Sequence, residues 1–253
     1  MSSMSIALIT LVCILGGALL GLFVGTRLPE HHLSDDSKDT VKLGAGLVAT
    51  MAALVLGLLV GSAKHSFDAM DNGIIDIGAR TIMLDRALAD YGPETMEIRA
   101  VLRSTLTKAM ANIWPEEKTT QAHLEIVARA VGMETIRSAI RRLAPQDDTQ
   151  HQLQSLALQI SGDLARMRWQ MIEQRTKSLP TTLVVVLVFW LAMLFASFGL
   201  FAPRNATVIA VLSIAALSVA GALFSILEMN SPLDGIIKVS SAPLHKALDL
   251  IGK

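Results

Sequence analysis

The chain has 253 residues, with 22 Lys plus Arg against 22 Asp plus Glu, 52% hydrophobic residues and only 17% charged ones. A soluble domain carries about 25% charged residues, so this composition excludes a disordered segment and lacks the basic surface of a nucleic-acid binder. The single cysteine, Cys13, excludes an internal disulfide and any cysteine-cluster metal site.

Four stretches are apolar and free of charge over nearly the ~20 residues that cross a bilayer: 6–24, 43–60, 183–200 and 206–227. The first is not a signal peptide by pattern. No Lys or Arg precedes it, and no small-x-small cleavage site follows before Arg27. Its glycines Gly17, Gly21 and Gly25 stand four apart on one helix face, a surface that lets another backbone approach. The partner is either another subunit or a helix of the same one.

The connector that follows holds His31, His32 and Asp35 among further carboxylates. Imidazole with carboxylate suits a first-row metal ion, and the histidines alone would sense pH. Against this, neighbouring histidines diverge on most backbones, and Ser34 with Asp35 and Asp36 reads as the capped first turn of the next helix.

The second span carries Gly46, Thr50, Ala53, Gly57 and Gly61 at steps of three and four, with Lys42 and Lys64 extending the stripe at its ends. At 100° per residue the two lysines stand about 40° apart around the helix. Such a stripe would line a narrow pore through an oligomer, with cations at both mouths that favour anions. The alternative is a close-packed helix flanked by two snorkelling lysines.

Residues 64–178 contain fifteen basic and fifteen acidic residues and read as helical throughout. Phe67, Met70, Ile74, Ile77, Thr81, Leu84 and Leu88 recur at alternating steps of three and four, a seam that packs on another helix. The seam starts so close to the second span that one long helix is expected. Tyr91-Gly92-Pro93 ends it. Helices bearing Leu102, Leu106 and Ile113, then Ile126, Ile136 and Ile140, then Leu153, Ile160 and Leu164 follow, separated by Trp114-Pro115 and Pro145-Gln146-Asp147-Asp148. In the fourth span Ser218, Gly221, Ser225 and Glu228 share a face; the carboxylate there would line a vestibule, bind a proton or basic partner, or be hydrated at the membrane edge. The tail around residues 236–248 would lie along the membrane surface as a short amphipathic element.

The expected architecture is therefore an all-α integral membrane protein with four transmembrane helices and a helical domain between spans two and three. Its segments are 1–63, 64–178, 179–228 and a tail, 229–253. Basic residues near span ends favour the face holding residues 64–178, which places that domain and both termini in the cytoplasm. No phosphate-binding loop, nucleophile elbow or zinc-hydrolase motif is present, so no cofactor is implied and an enzyme is disfavoured. Glu228 and His65 would be the sole support for lipid chemistry.

Several strings carry a resemblance: Leu28-Pro29-Glu30-His31-His32-Leu33, Ala53-Leu54-Val55-Leu56-Gly57-Leu58-Leu59, Ser62-Ala63-Lys64, Phe195-Ala196-Ser197-Phe198-Gly199-Leu200-Phe201-Ala202-Pro203-Arg204-Asn205, and the tail with Ser240-Ser241-Ala242-Pro243-Leu244. Together they resemble a bacterial family of four-span membrane proteins labelled bestrophin-like. The resemblance implies an inner-membrane location among lipids. It also implies kinship with bestrophins, pentameric anion channels whose second span lines the pore. The second span here shows small residues rather than an aromatic neck. The expectation is thus a passive ion channel, anion-favouring and homo-oligomeric, with Lys42 through Lys64 lining its path. The rival expectation is a membrane scaffold or sensor whose helical domain recruits a partner through the Phe67–Leu88 seam.

Overall fold

The computed structural model describes residues 2–29, 35–114, 125–176, 180–203, 205–233 and 235–252, and among them every regular element is helical. In chain order these are α1 (Ser3–Val24), α2 (Asp35–Tyr91), a 3₁₀ turn (Pro93–Thr95), α3 (Met96–Ile113), α4 (Glu125–Arg142), α5 (Asp148–Thr176), α6 (Thr181–Phe201), α7 (Ala206–Met229) and α8 (Ala242–Leu250). Local chemistry sets several boundaries. Ser2 caps α1 by accepting from the Ser5 N–H at 3.2 Å, and Asn205 caps α7 by accepting from Val208 at 2.8 Å. Gly92, at φ 138°, supplies the backbone conformation that ends α2. Pro93 then starts the next turn, and the Thr95 hydroxyl donates back to the Leu88 and Gly92 carbonyls.

Four helices are long and apolar enough to cross a membrane: α1, the first part of α2, α6 and α7. The α2 helix runs unbroken for 57 residues, from the apolar stretch into the charged one.

The chain divides into two compact units, Met1–Phe67 with Ser178–Ile237, and Asp68–Lys177 with Lys238–Lys253. In the first, α1 packs on α6 and α7. Its core joins Ile14 and Ala18 of α1, Ala52, Leu59 and Ala63 of α2, Leu187, Leu191 and Phe195 of α6, and Ala216, Leu223 and Ile226 of α7. In the second unit α3 packs on α4 and α4 on α5. The core there gathers Leu84 and Leu88 of α2, Ile98 and Leu102 of α3, Ile136 and Ile140 of α4, and Ile160 and Leu164 of α5.

Two expectations change. The tail is not a surface element: from Lys238 onward it belongs to the second unit, where Val239, Leu244, Ala247 and Ile251 are buried. Polar contacts fasten it there. Trp114 Nε1 donates to the Val239 carbonyl at 3.1 Å, and Arg103 Nη1 to the Ile251 carbonyl at 3.0 Å. The heptad seam packs on other helices, as its spacing predicts, and so it is not the open recruiting face of the rival expectation. Met70, Ile74, Thr81, Leu84 and Leu88 are buried within the chain, and Ile77 packs against the same core.

Candidate functional site

The membrane-length part of α2 presents three faces. Ala52, Leu59 and Ala63 point into the first unit's core. About 130° away around the helix runs the stripe singled out in the sequence, and Lys42, Gly46, Thr50, Ala53, Gly57, Gly61 and Lys64 are all exposed. A Cβ built on Gly46, Gly57 or Gly61 would meet nothing within 4 Å. These glycines therefore do not serve packing inside the chain. Beyond the stripe, Leu43, Leu47, Leu54 and Leu58 stand exposed in a ridge.

The polar groups of the stripe are held by their own helix. Thr50 Oγ1 donates to the Gly46 carbonyl at 2.9 Å, the i−4 bond that lets a hydroxyl sit in an apolar setting. Lys42 Nζ lies 3.0 Å from Asp39 Oδ1, one turn back. Both are well exposed, so the pair is weak and the ammonium stays available to solvent ions. Lys64 Nζ lies 6.0 Å from the centre of the Phe67 ring. The result is a smooth strip of small side chains with a cation at each end.

Other residues singled out in the sequence fall elsewhere. Gly17, Gly21 and Gly25 face α6 of the same chain: a Cβ at Gly17 would stand 2.5 Å from the Ala192 carbonyl oxygen, and one at Gly25 2.6 Å from that of Leu200. Gly199 of α6 reciprocates by resting on the Ala18 carbonyl. Such close backbone approach is how helices associate in lipid, where no hydrophobic drive separates helix from solvent.

On α7, Ser218, Gly221 and Ser225 are exposed, and the two hydroxyls donate to the Ile214 and Gly221 carbonyls at 2.9 and 3.1 Å. Glu228 does not join them as a hydrated or vestibule carboxylate. It is 5% exposed and accepts the Ile236 backbone N–H, which folds the chain after α7 back on itself. Gly235 makes room for this: a Cβ there would lie 2.5 Å from Glu228 Oε2. His31 and His32 lie outside the described residues, as does the Asp35 side chain, although Asp35 opens α2. Among the described residues no group of three His, Cys, Asp or Glu could hold a metal.

One polar centre escaped the sequence reading. Asp85, 1% exposed, accepts from Arg99 Nε and Nη2 at 2.8 and 2.9 Å and from the Gly252 N–H at 3.1 Å. The hydrogen bond to Asp85 raises the Arg99 pKa above its ordinary value, against the opposing effect of burial. Asp85 follows Leu84 in the apolar seam, and a carboxylate there was the available signal. This centre is a structural clasp that ties α2, α3 and the tail together.

A bestrophin-like domain model matches residues 12–244. No curated protein sequence matches significantly. Among solved structures, a singly substituted bacterial bestrophin homologue from Klebsiella pneumoniae superposes with a TM-score of 0.67 at 14% identity, over 97% of this chain and 99% of that one. A second substituted form of that homologue gives 0.64 at 14% identity, over 95% and 99%. A structure described only as a membrane protein gives 0.65 at 12% identity, over 98% and 99%.

Proposed function

The chain belongs to the bestrophin-like family, and from that premise we propose that it is a passive ion channel of the bacterial inner membrane, anion-favouring, formed by a homo-oligomer around α2. The observation that carries this reading is the open stripe. Seven positions from Lys42 to Lys64 are left uncovered by their own chain, and three of them are glycines with no neighbour. Over 22 steps of 1.5 Å the stripe covers about 33 Å, close to the ~30 Å hydrocarbon core.

Facing lipid, the stripe would be a poor surface, shallow and ended by two cations. Facing a shared axis, it makes a narrow lumen of weak polarity. Small side chains leave room there, Thr50 offers one ring of hydroxyls, and a constriction of this kind can gate by dewetting. Lysines at both mouths concentrate anions before they enter. In the same reading α1, α2, α6 and α7 are the four spans, and the second unit stands in the cytoplasm on the lysine- and arginine-rich side. Five subunits is the number suggested by analogy with bestrophins.

The scaffold alternative drew its support from the Phe67–Leu88 seam, and burial of Met70, Ile74, Thr81, Leu84 and Leu88 within the chain leaves it without that support. The test is conductance of the purified protein in planar bilayers. Anion current that Gly57→Leu suppresses is expected, and silence of the unmodified protein at every voltage and salt tried would overturn the reading.

A further inference from the structure

Where the end of α6 meets the beginning of α2, the first unit encloses a cavity of about 330 Å³. Val41, Ala45 and Ala49 of α2 and Ser197, Phe198 and Phe201 of α6 form its walls. Pockets that hold small molecules run from about 300 to 1,000 Å³, mostly apolar with a few polar groups that fix orientation. This cavity follows that pattern. The Ser197 hydroxyl is used within its own helix, donating to the Met193 carbonyl at 3.0 Å. Phe198 is braced edge-on against Phe195, their ring centres 6.0 Å apart. Among the described residues that wall the cavity, the one charged side chain is Lys42.

The walls are ordered by depth. Lys42 stands at the start of the apolar stretch of α2, and Ala45 and Ala49 lie about 4.5 and 10.5 Å further along the helix. A cation at the membrane edge beside an apolar slot matches a molecule with an anionic head and an alkyl tail. Room sets the number of tails. A methylene group takes about the space of a water molecule, whose share is ~30 Å³, so the cavity holds roughly eleven carbons of a single chain. Lys42 and Gly46 belong to both the cavity wall and the stripe, and a Cβ on Gly46 would meet nothing within 4 Å. The cavity therefore opens sideways onto the stripe. A neighbouring copy seated in it would cover the stripe, and a two-chain lipid would lay its second tail across it.

We propose that the α2–α6 cavity binds a free fatty-acid anion, its tail against Ala45, Ala49 and Phe198 and its carboxylate on the Lys42 ammonium, and that occupancy lowers anion flux. Binding rests only on α2 and α6 spanning the bilayer, whereas the effect on flux rests on the channel reading above. Lys42 already lies 3.0 Å from Asp39, but the two side chains are 68% and 71% exposed. An ammonium has three donors, so it accepts a second carboxylate while Asp39 turns to water. A tail gains little by leaving bilayer lipid for an apolar wall, so the charge contact decides which amphiphile stays. Occupancy acts twice at this mouth. It neutralises a cation that concentrates anions, and it fills the space beside Gly46.

The test is photolabelling of the purified, reconstituted protein with a diazirine-bearing dodecanoate, read by mass spectrometry. Saturable label within residues 41–49 and 197–202 is expected, competed by plain dodecanoate and not by an equal amount of dipalmitoyl phosphatidylglycerol. Ala49→Leu fills the cavity and should remove the label, as should Ser197→Leu if the first variant fails to fold. Lys42→Gln should weaken competition by dodecanoate about two- to fivefold and leave competition by its methyl ester unchanged. Label retained in both filled variants would overturn the proposal. So would displacement by the phospholipid, or equal competition by dodecanoate and its methyl ester. Anion flux on the same preparations separates the site from the pore. Label in protein that conducts nothing keeps the site and removes the channel, whereas flux without saturable label keeps the channel and removes the site. Flux that dodecanoate leaves unchanged in labelled protein would overturn the claim that occupancy is inhibitory.

Discussion

Gly17 of α1 rests on the backbone carbonyl of Ala192 in α6, so closely that a Cβ on Gly17 would stand 2.5 Å from that oxygen, whereas a Cβ on Gly57 of α2 would meet nothing within 4 Å. The two glycines belong to similar stripes and answer to different forces. Gly17→Val should push α1 off α6 and cost about 1–3 kcal/mol. Gly57→Ala should leave stability unchanged or raise it by up to about 1 kcal/mol through helix propensity. Thermal unfolding in detergent checks both, and equal losses would contradict the assignment of Gly57 to an open face.

Asp85 and Arg99 form the buried ion pair of the second unit, with Gly252 as a third partner. Asp85→Ala removes the buried carboxylate that accepts from Arg99 and from the Gly252 N–H, and should cost about 3–5 kcal/mol. Replacing both residues, as Asp85→Leu with Arg99→Met, should recover much of that loss, since an apolar pair needs no compensating charge. Circular dichroism melts of the three proteins give the comparison. A double variant no better than Asp85→Ala would show that the Gly252 contact, and not the pair, is what matters.

Gly235 lies where a Cβ would press on the Glu228 carboxylate, itself held by the Ile236 N–H. Gly235→Ala should therefore destabilise the first unit by about 1–3 kcal/mol, and Glu228→Ala should do so by removing the acceptor. The two losses should not add, because Glu228→Ala removes the atom that the new methyl meets. Denaturation of the single and double variants measures the coupling, and strict additivity would disprove it.

Tyr91 is 4% exposed and its hydroxyl finds no hydrogen-bond partner among the described residues. Burial first, then the nearby Glu94 and Asp147 carboxylates, raise its pKa above the ordinary 10.0. The unfolded chain therefore gives up this proton at lower pH than the folded one. The contribution is complete below the unfolded value of about 10 and is lost as pH rises through the folded value. Tyr91→Phe should match or exceed the unmodified protein at neutral pH, since it removes an unsatisfied hydroxyl. It should also lose less stability from about pH 9 to 11. Denaturant midpoints across that range test it, and parallel curves would refute the argument.

How far the sequence could be read depended on the range of the interactions. The four apolar helices were legible because charge-free runs of membrane length are local, and so was the continuation of α2, because the spacing of Met70, Ile74, Ile77 and Leu84 is local as well. The partners of those residues were not. Nothing in the spacing of Gly17, Gly21 and Gly25 distinguishes them from Gly57 and Gly61, and only the position of α6 makes one set closed and the other open. The tail was misread because Val239 and Gly252 find their partners in Trp114 and Asp85, more than a hundred residues earlier. Glu228 was placed with the serines of α7 by helical phase, while the chain after α7 turns back and buries it.

The claim on which the functional account depends is that the small-residue face of α2 borders water. It is tested most directly by introducing Ala53→Cys into a Cys13→Ala background and treating the reconstituted protein with a charged, membrane-impermeant thiol reagent while anion flux is recorded. Leu20→Cys, on an exposed apolar position of α1, serves as the control. The account predicts that Ala53→Cys is modified and flux changes abruptly, while Leu20→Cys stays unreacted. An unmodified Ala53→Cys in protein that still conducts would place the pathway elsewhere and contradict the account.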